Sequence, residues 1–251
     1  MTDHIVIDRP LGHPEVQTIR FNRPDKKNAI TQGMYRRMTE ALAEASADAT
    51  VRAVVFLGSE GCFSAGNDMA DFLAFATSGT GGAPAAFDFL RALAGFEKPL
   101  VSGVDGLAIG IGTTLHMHCD LTIASDRSLF KTPFVDLALV PEAASSLIAP
   151  RVMGHQRAFA LLALGEGFSA EDACAAGLIW KVVGAQEVDK VALDLATRLA
   201  SKPPESLKLS RDLLRGNPAD IFARMDEELA HFVERLKSGE ARAAFEAFMK
   251  R

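Results

Sequence analysis

Two glycine-bearing segments carry the residue types best suited to chemistry on a carbonyl. One is Phe63-Ser64-Ala65-Gly66-Asn67-Asp68, and the other runs Gly106-Leu107-Ala108-Ile109-Gly110-Ile111-Gly112-Thr113-Thr114-Leu115. Each follows a short apolar run, at 53–58 and 99–104. A strand, a glycine turn and a helix-like stretch leave backbone N–H groups free at a helix N-terminus. Two such turns can aim two donors at one point, which is an oxyanion hole in outline. Among the carboxylates, Glu142 follows Pro141 near a helix start, where a negative charge also simply suits the helix dipole. Asp68 and Asp71 follow the first turn and read as caps, and Asp136 is a second candidate base. His116 and His118 sit two apart and face opposite sides of a helix, which suits packing and not a shared metal. No metal site is expected. Arg23, Lys26 and Lys27 make a basic loop, and Lys250 and Arg251 are further cations that could meet phosphate.

The elements that must position these groups alternate along the chain. Strands are expected at 5–7, 16–21, 51–58, 99–104 and 121–124, with 130–134 extended. Thr31 caps a helix running to about Ala47. A glycine-rich bridge at 78–84 separates Phe72, Leu73 and Phe75 from a helix near 84–95 carrying Phe87, Phe89 and Leu90. Most of these side chains suit a core, and some suit the wall of an apolar tunnel. Helices near 143–152 and 155–164 follow, then Ser169 with Asp172 as a capping box and Gly177 as a C-cap. Beyond about residue 187 the pattern is helical only, broken at Pro203-Pro204 and Gly216-Asn217-Pro218. The expectation is an α/β core over 1–195 with a helical region over 196–251.

Composition narrows the function. The 251 residues are 48% hydrophobic and 24% charged, an ordinary globular balance. A net charge of −5 gives no footprint for nucleic acid. No apolar run reaches membrane-spanning length, and the N-terminus lacks the pattern of a signal peptide. The last residues are no peroxisomal address. Cys62, Cys119 and Cys174 are far apart, which suits a reducing compartment and no disulfide or zinc motif. A cytoplasmic protein is expected.

Together the segments resemble the crotonase superfamily, that of enoyl-CoA hydratases and isomerases. Asn22-Arg23-Pro24 through Asn28-Ala29-Ile30 resembles its early RPxxxNAI loop. Phe63–Asp68 resembles its FxAGxD turn, and Val104-Asp105-Gly106 through Gly112 its VxGxAxGxG turn. Cys119-Asp120 and Ala175-Ala176-Gly177-Leu178-Ile179 match two later landmarks. The resemblance spans nearly the whole chain. It implies a spiral of ββα units with a C-terminal helical trimerisation region, hence a homotrimer or a dimer of trimers. It implies an acyl-CoA thioester as ligand, with no cofactor beyond the coenzyme A of the substrate. The oxyanion donors it implies are the backbone N–H groups of Asn67 and Ile111. The substrate contacts it implies are Lys26, Lys27, Ala29, Ala65, Gly66, Asn67, Asp68, Met69, Ala108, Gly110, Ile111, Phe134 and Leu137.

The resemblance also singles out a reaction. Hydratases of the family carry two glutamates, at the positions held here by Thr114 and Phe134, and neither residue titrates near neutral pH. The stretch from Thr132-Pro133-Phe134 to Pro141-Glu142 is similar to the Δ3,Δ2-enoyl-CoA isomerase branch, where the glutamate is the single acid/base. Glu142 is therefore the expected catalytic carboxylate. Its apolar neighbours Phe134, Leu137, Leu139 and Val140 should raise its pKa by desolvation. Two alternatives keep the fold: another acyl-CoA reaction such as hydration, or a catalytically silent acyl-CoA binder. A third pairs Ser145 or Ser146 with His116 or His118, as in spiral-fold serine proteases of the Clp type, but no GxSxG-like turn supports it.

Overall fold

The computed structural model describes residues 3–71 and 85–249. The bridge at 78–84, with Phe72, Leu73, Phe75, Lys250 and Arg251, lies outside the described residues. Among the described residues ten strands form two sheets. The larger contains β1 (Ile5–Asp8), β2 (Val16–Phe21), β3 (Ala53–Leu57), β5 (Leu100–Val104), β7 (Leu121–Ser125) and β10 (Lys181–Val183), in that spatial order. Within this sheet only the described β1–β2 pair is antiparallel. The smaller sheet contains β4 (Cys62–Ser64), β6 (Leu107–Ile109), β8 (Leu129–Lys131) and β9 (Phe168–Ser169). Three consecutive pairs, β3–β4, β5–β6 and β7–β8, each pass from the large sheet to the small one, and each pair lies one strand further along both. That stepwise repetition is the expected spiral.

The helices are α1 (Gln32–Ala47), α2 (Ala85–Ala94), the single turn α3 (Ile111–Thr114), α4 (Ser145–Leu162) and α5 (Ala170–Ala176). Then come α6 (Val188–Ala200), α7 (Pro204–Arg215), α8 (Pro218–Leu236) and α9 (Gly239–Met249). Alternate residues of β3 explain the layering. Val54 and Phe56 enter the core shared with α1 and α2, while Ala53, Val55 and Leu57 pack with Ala192, Leu195 and Ala196 of α6. A parallel sheet needs both faces covered in this way. The division expected at residue 195 falls inside α6, whose buried face continues to Ala196 and Ala200 on the same sheet.

Local signals act where they were expected. Thr31 accepts from the Met34 amide at the start of α1, and Ser169 and Asp172 form a reciprocal capping box. Gly154, at φ 78° and ψ 163°, breaks α4 between the two expected helices. The expected strand at 51–58 shortens to Ala53–Leu57. In the small sheet, β8 overlaps the stretch expected as extended at 130–134, while β4, β6 and β9, and β10 of the large sheet, were not anticipated. They are too short to show a period, and β4 and β6 overlap the glycine segments.

Candidate active site

The two glycine turns lie side by side because β4 and β6 pair in parallel, with Cys62 opposite Leu107 and Ser64 opposite Ala108. Their contact is close: a Cβ on Gly66 would stand 2.8 Å from the Ile109 carbonyl oxygen. Gly66 has φ 86°. Gly110 sits at φ 57° and ψ −121°, a backbone region closed to side-chain-bearing residues.

The geometry frees one amide on each turn. Ile30 N–H donates to Gly66 O and Asp68 N–H donates to Ile30 O, so the Asn67 N–H between them points away from Ile30. Ile111 is the first residue of α3, where an N–H has no intrahelical acceptor. Neither amide has an acceptor among the described residues.

The early loop fastens the first turn. Asn28, fully buried at φ 53°, donates from Nδ2 to Phe63 O and Cys62 O and accepts from Arg23 N–H. Ala65 N–H donates to Lys27 O, and Ser64 Oγ donates to Asn28 O. The Lys26 and Lys27 residues remain exposed. Arg23 bridges to Asp68 at 2.7 Å and donates to Ala29 O, and Asp68 also accepts from the Ala70 and Asp71 amides. Burial works against that carboxyl, but these bonds win and hold it below its ordinary pKa. Asp68 thus braces the turn from outside. Met69 and Leu137 are half-buried against the core, while Ala108 and Phe134 are buried.

Glu142 is buried and lines a pocket with Tyr35, Asn67, Phe87, Leu90 and Phe232; Gln32, Asp71, Ala86, Val233 and Leu236 complete the wall. Of the residues anticipated as catalytic or substrate-binding, only Asn67 and Glu142 border this pocket, joined by Phe87 and Leu90 from the helix expected to contribute to a tunnel wall. Thr114 Oγ1, on the same helical turn as Ile111, donates to Glu142 Oε1 at 2.5 Å. That bond ties the carboxylate to the helix whose first amide is free. Burial is the dominant influence on Glu142 and pushes its pKa up to about 8; the Thr114 bond opposes this and the Glu228 charge adds to it.

Several partners of the site escape sequence reading. Tyr35, the only tyrosine, donates from its hydroxyl to Asn67 Oδ1 at 2.6 Å. Burial and then the Glu142 charge hold this phenol well above its usual pKa, so it stays a donor. The signal for Tyr35 was a hydroxyl on the buried stripe Met34, Tyr35 and Met38 of α1. Glu228 gives a similar signal, a carboxylate in the buried stripe Met225, Glu228, Phe232 and Leu236 of α8.

The competing nucleophiles and bases lie elsewhere. Ser145 Oγ donates to Glu142 O, and Ser146 Oγ donates to Glu228. His118 Nε2 bonds to Ala143 O, while His116 Nδ1 meets Ser102 Oγ between the rings of Phe63 and Phe130. Burial pulls these imidazoles down to about 4 and about 3, so both are neutral. Neither Ser145 nor Ser146 pairs with His116 or His118, whose partners are Ser102 and Ala143 O. Asp136 is exposed in a 3-10 turn over Val135–Leu137. Asp71 borders the pocket, and its Oδ2 accepts from the Gln32 amide at the start of α1. No cluster of three potential metal ligands occurs among the described residues.

A spiral of paired sheets with two free amides beside a buried carboxylate defines a crotonase-type site. The sequence profile of the enoyl-CoA hydratase/isomerase family matches residues 13–249, and the chain belongs to that family. It is 38% identical over 221 residues to rat (Rattus norvegicus) enoyl-CoA delta isomerase 2, covering 85% of this chain and 55% of the relative. The chain thus spans about half the length of that relative. It is 33% identical to the 1,2-epoxyphenylacetyl-CoA isomerase of Escherichia coli K12, covering 81% of this chain and 80% of that protein. The solved structure of OdaA from Pseudomonas aeruginosa superposes with a TM-score of 0.93 at 41% identity, covering all of both chains.

Proposed function

We propose that the protein is a Δ3,Δ2-enoyl-CoA isomerase in which Glu142 is the acid/base. The observation that carries this reading is a buried pocket carboxylate, raised to about 8 and tied by Thr114 to the turn bearing the Ile111 amide, while the other carboxylate of the wall, Asp71, caps the start of α1. In the reaction, Glu142 removes a proton from C2 of a 3-enoyl thioester. The electrons delocalise onto the thioester oxygen, which accepts hydrogen bonds from the Asn67 and Ile111 amides. The protonated Glu142 then delivers the proton to C4, leaving the 2-enoyl thioester. The step moves one proton and one double bond, so it balances without water, metal or redox partner. A raised pKa suits Glu142 to a carbon acid.

Hydration is disfavoured by chemistry at two positions. Thr114 is a hydroxyl donor to Glu142, and Phe134 is a buried ring. Lys26 and Lys27 are proposed to meet the phosphates of coenzyme A from the loop bonded to the first turn. Ala29, Ala65, Gly66, Asp68, Met69, Ala108, Gly110, Phe134 and Leu137 then shape the channel between them and Glu142. The wall of Phe87, Leu90 and Phe232 suits the acyl chain. The exposed Leu209, Leu213 and Leu214 of α7 support assembly of copies as a homotrimer or dimer of trimers. Among the described residues no helix is long and apolar enough to cross a membrane, and the free cysteines suit the cytoplasm.

The test offers 3-hexenoyl-CoA and follows absorbance of the conjugated product, then offers the 2-enoyl thioester and follows its loss to hydration. Isomerisation without hydration supports the reading. Hydration at a comparable rate, or acyl-CoA binding with no turnover, defeats it.

A further inference from the structure

Glu228 is a carboxylate where an apolar residue belongs. It shares the buried stripe of α8 with Met225, Phe232 and Leu236 and is only 6% exposed. Its oxygens reach into a different segment. Oε2 accepts from the Ala144 amide at 2.6 Å, and Oε1 accepts from the Ser146 amide at 3.0 Å and from Ser146 Oγ at 2.5 Å. These donors immediately follow Glu142. There the backbone is left-handed at two successive alanines, Ala143 at φ 63° and Ala144 at φ 53°. L residues avoid that region, and Ala144, the N-cap of α4, offers no capping side chain.

We propose that Glu228 is a positioning residue for Glu142, holding the Ala143–Ala144 turn in the shape that presents the Glu142 carboxylate to the pocket. The inference rests on the reading of Glu142 as the base. Three donors converge on two oxygens, and a carboxylate accepts them all without adding a donor of its own. An amide cannot do so. His118 and Ser145 hold the same turn through the carbonyls of Ala143 and Glu142, while Glu228 takes the Ala144 and Ser146 amides. The charged or titratable groups facing Glu142 are Tyr35 from α1, Asp71 across the pocket, and Glu228 from α8, with Arg224 one turn before Glu228.

The test compares Glu228→Gln, Glu228→Asp and Glu142→Gln in isomerisation of 3-hexenoyl-CoA, alone and as the double variant Glu142→Gln/Glu228→Gln. Glu228→Gln is expected to lower kcat about 10–100-fold, with KM kept within about three-fold, because misplacing a reacting group costs rate more than binding. Loss of its negative charge also moves the acid limb of kcat/KM to lower pH. Glu228→Asp recovers part of kcat. In the Glu142→Gln background, Glu228→Gln lowers the residual rate no further, as expected for a residue that acts through another. Wild-type kcat and pH limb in Glu228→Gln, with Glu142→Gln inactive, overturn the positioning role and spare the base. Wild-type kcat in Glu142→Gln overturns the base itself. If Glu228→Gln does not fold, Ser146→Ala removes one donor from the other side. It is expected to lower kcat about three- to ten-fold at constant KM, and an unchanged kcat overturns the proposal.

Discussion

The two halves of the site meet the same backbone demand in opposite ways. Around the free amides, left-handed and forbidden conformations fall on Gly66 and Gly110. Around the carboxylate, they fall on Ala143 and Ala144, with clamps from Glu228, His118 and Ser145. Glycine adopts such a shape at little steric cost, so the backbone of the two turns is specified locally, even though Asn28 of the early loop also fastens the first turn. Alanine must be held there, so the carboxylate half depends on contacts from distant elements. The difference teaches that one half of the site is built into its own segment and the other is imposed on it.

The largest effect should come from removing the imposed half's reactive group. Glu142→Gln is expected to lower kcat about 10²–10⁴-fold while acyl-CoA still binds, because the amide half is intact. Calorimetric Kd beside kcat checks this. The same variant has a stability signature. Burial raises Glu142 from 4.5 to about 8, so its protonated form stabilises the fold fully below about pH 4.5 and that contribution fades as pH climbs through about 8. Glutamine stays neutral throughout. The Tm of Glu142→Gln should therefore gain on the wild type between pH 5 and pH 9 (the window follows from those two pKa values), while wild-type kcat/KM rises over the same range. A constant Tm difference would refute the buried titration.

Gly110→Ala should follow in size. No atom stands within 4 Å of the added Cβ, so any loss reports backbone conformation and not crowding. Displacing the Ile111 amide should cost about 10²–10³-fold in kcat. Single-turnover rates would show whether the loss lies in chemistry.

A reciprocal exchange tests the comparison most directly. Gly66→Ala should destabilise by about 1–3 kcal/mol, since it combines a strained φ with a Cβ pressed on Ile109 O. Ala144→Gly should instead stabilise, by up to about 1 kcal/mol, because it relieves a left-handed alanine. Denaturant midpoints decide both. Destabilisation by Ala144→Gly would mean that the clamps have removed the strain and that the halves differ less than their φ angles suggest.

Thr114→Val is the smallest effect. The hydroxyl bond holds the Glu142 pKa down against burial, so its loss should move the acid limb of kcat/KM to higher pH. A shift to lower pH would show that Thr114 favours the protonated carboxyl instead.

What could be read from the sequence follows the same division. Gly66, Gly110, the Thr31 cap, the Ser169–Asp172 box and the break at Gly154 are local, and each needs only its neighbours to be understood. Glu142 stood out through the resemblance of the stretch from Thr132 to Glu142 to the isomerase branch, since its place after Pro141 also suits a helix start. Its environment did not: the Thr114 bond spans 28 positions and the Glu228 clamp spans 84 from Ala144. Thr114 read as a vacated position and proved to be a partner. Tyr35 and Glu228 were visible only as polar groups on apolar stripes, which show that a partner exists without saying which. The short strands of the small sheet carry too few residues to show a period, and pairing alone defines them.

The clamp on α8 also has a consequence for the order of synthesis. All ten strands and both glycine turns precede Pro218 in the chain. A nascent protein can thus assemble its sheets and present both free amides while Ala144 and Ser146 still lack the Glu228 acceptor. On the reading proposed above, the segments bearing both amides and Glu142 are therefore synthesised before the acceptor that holds the turn after Glu142.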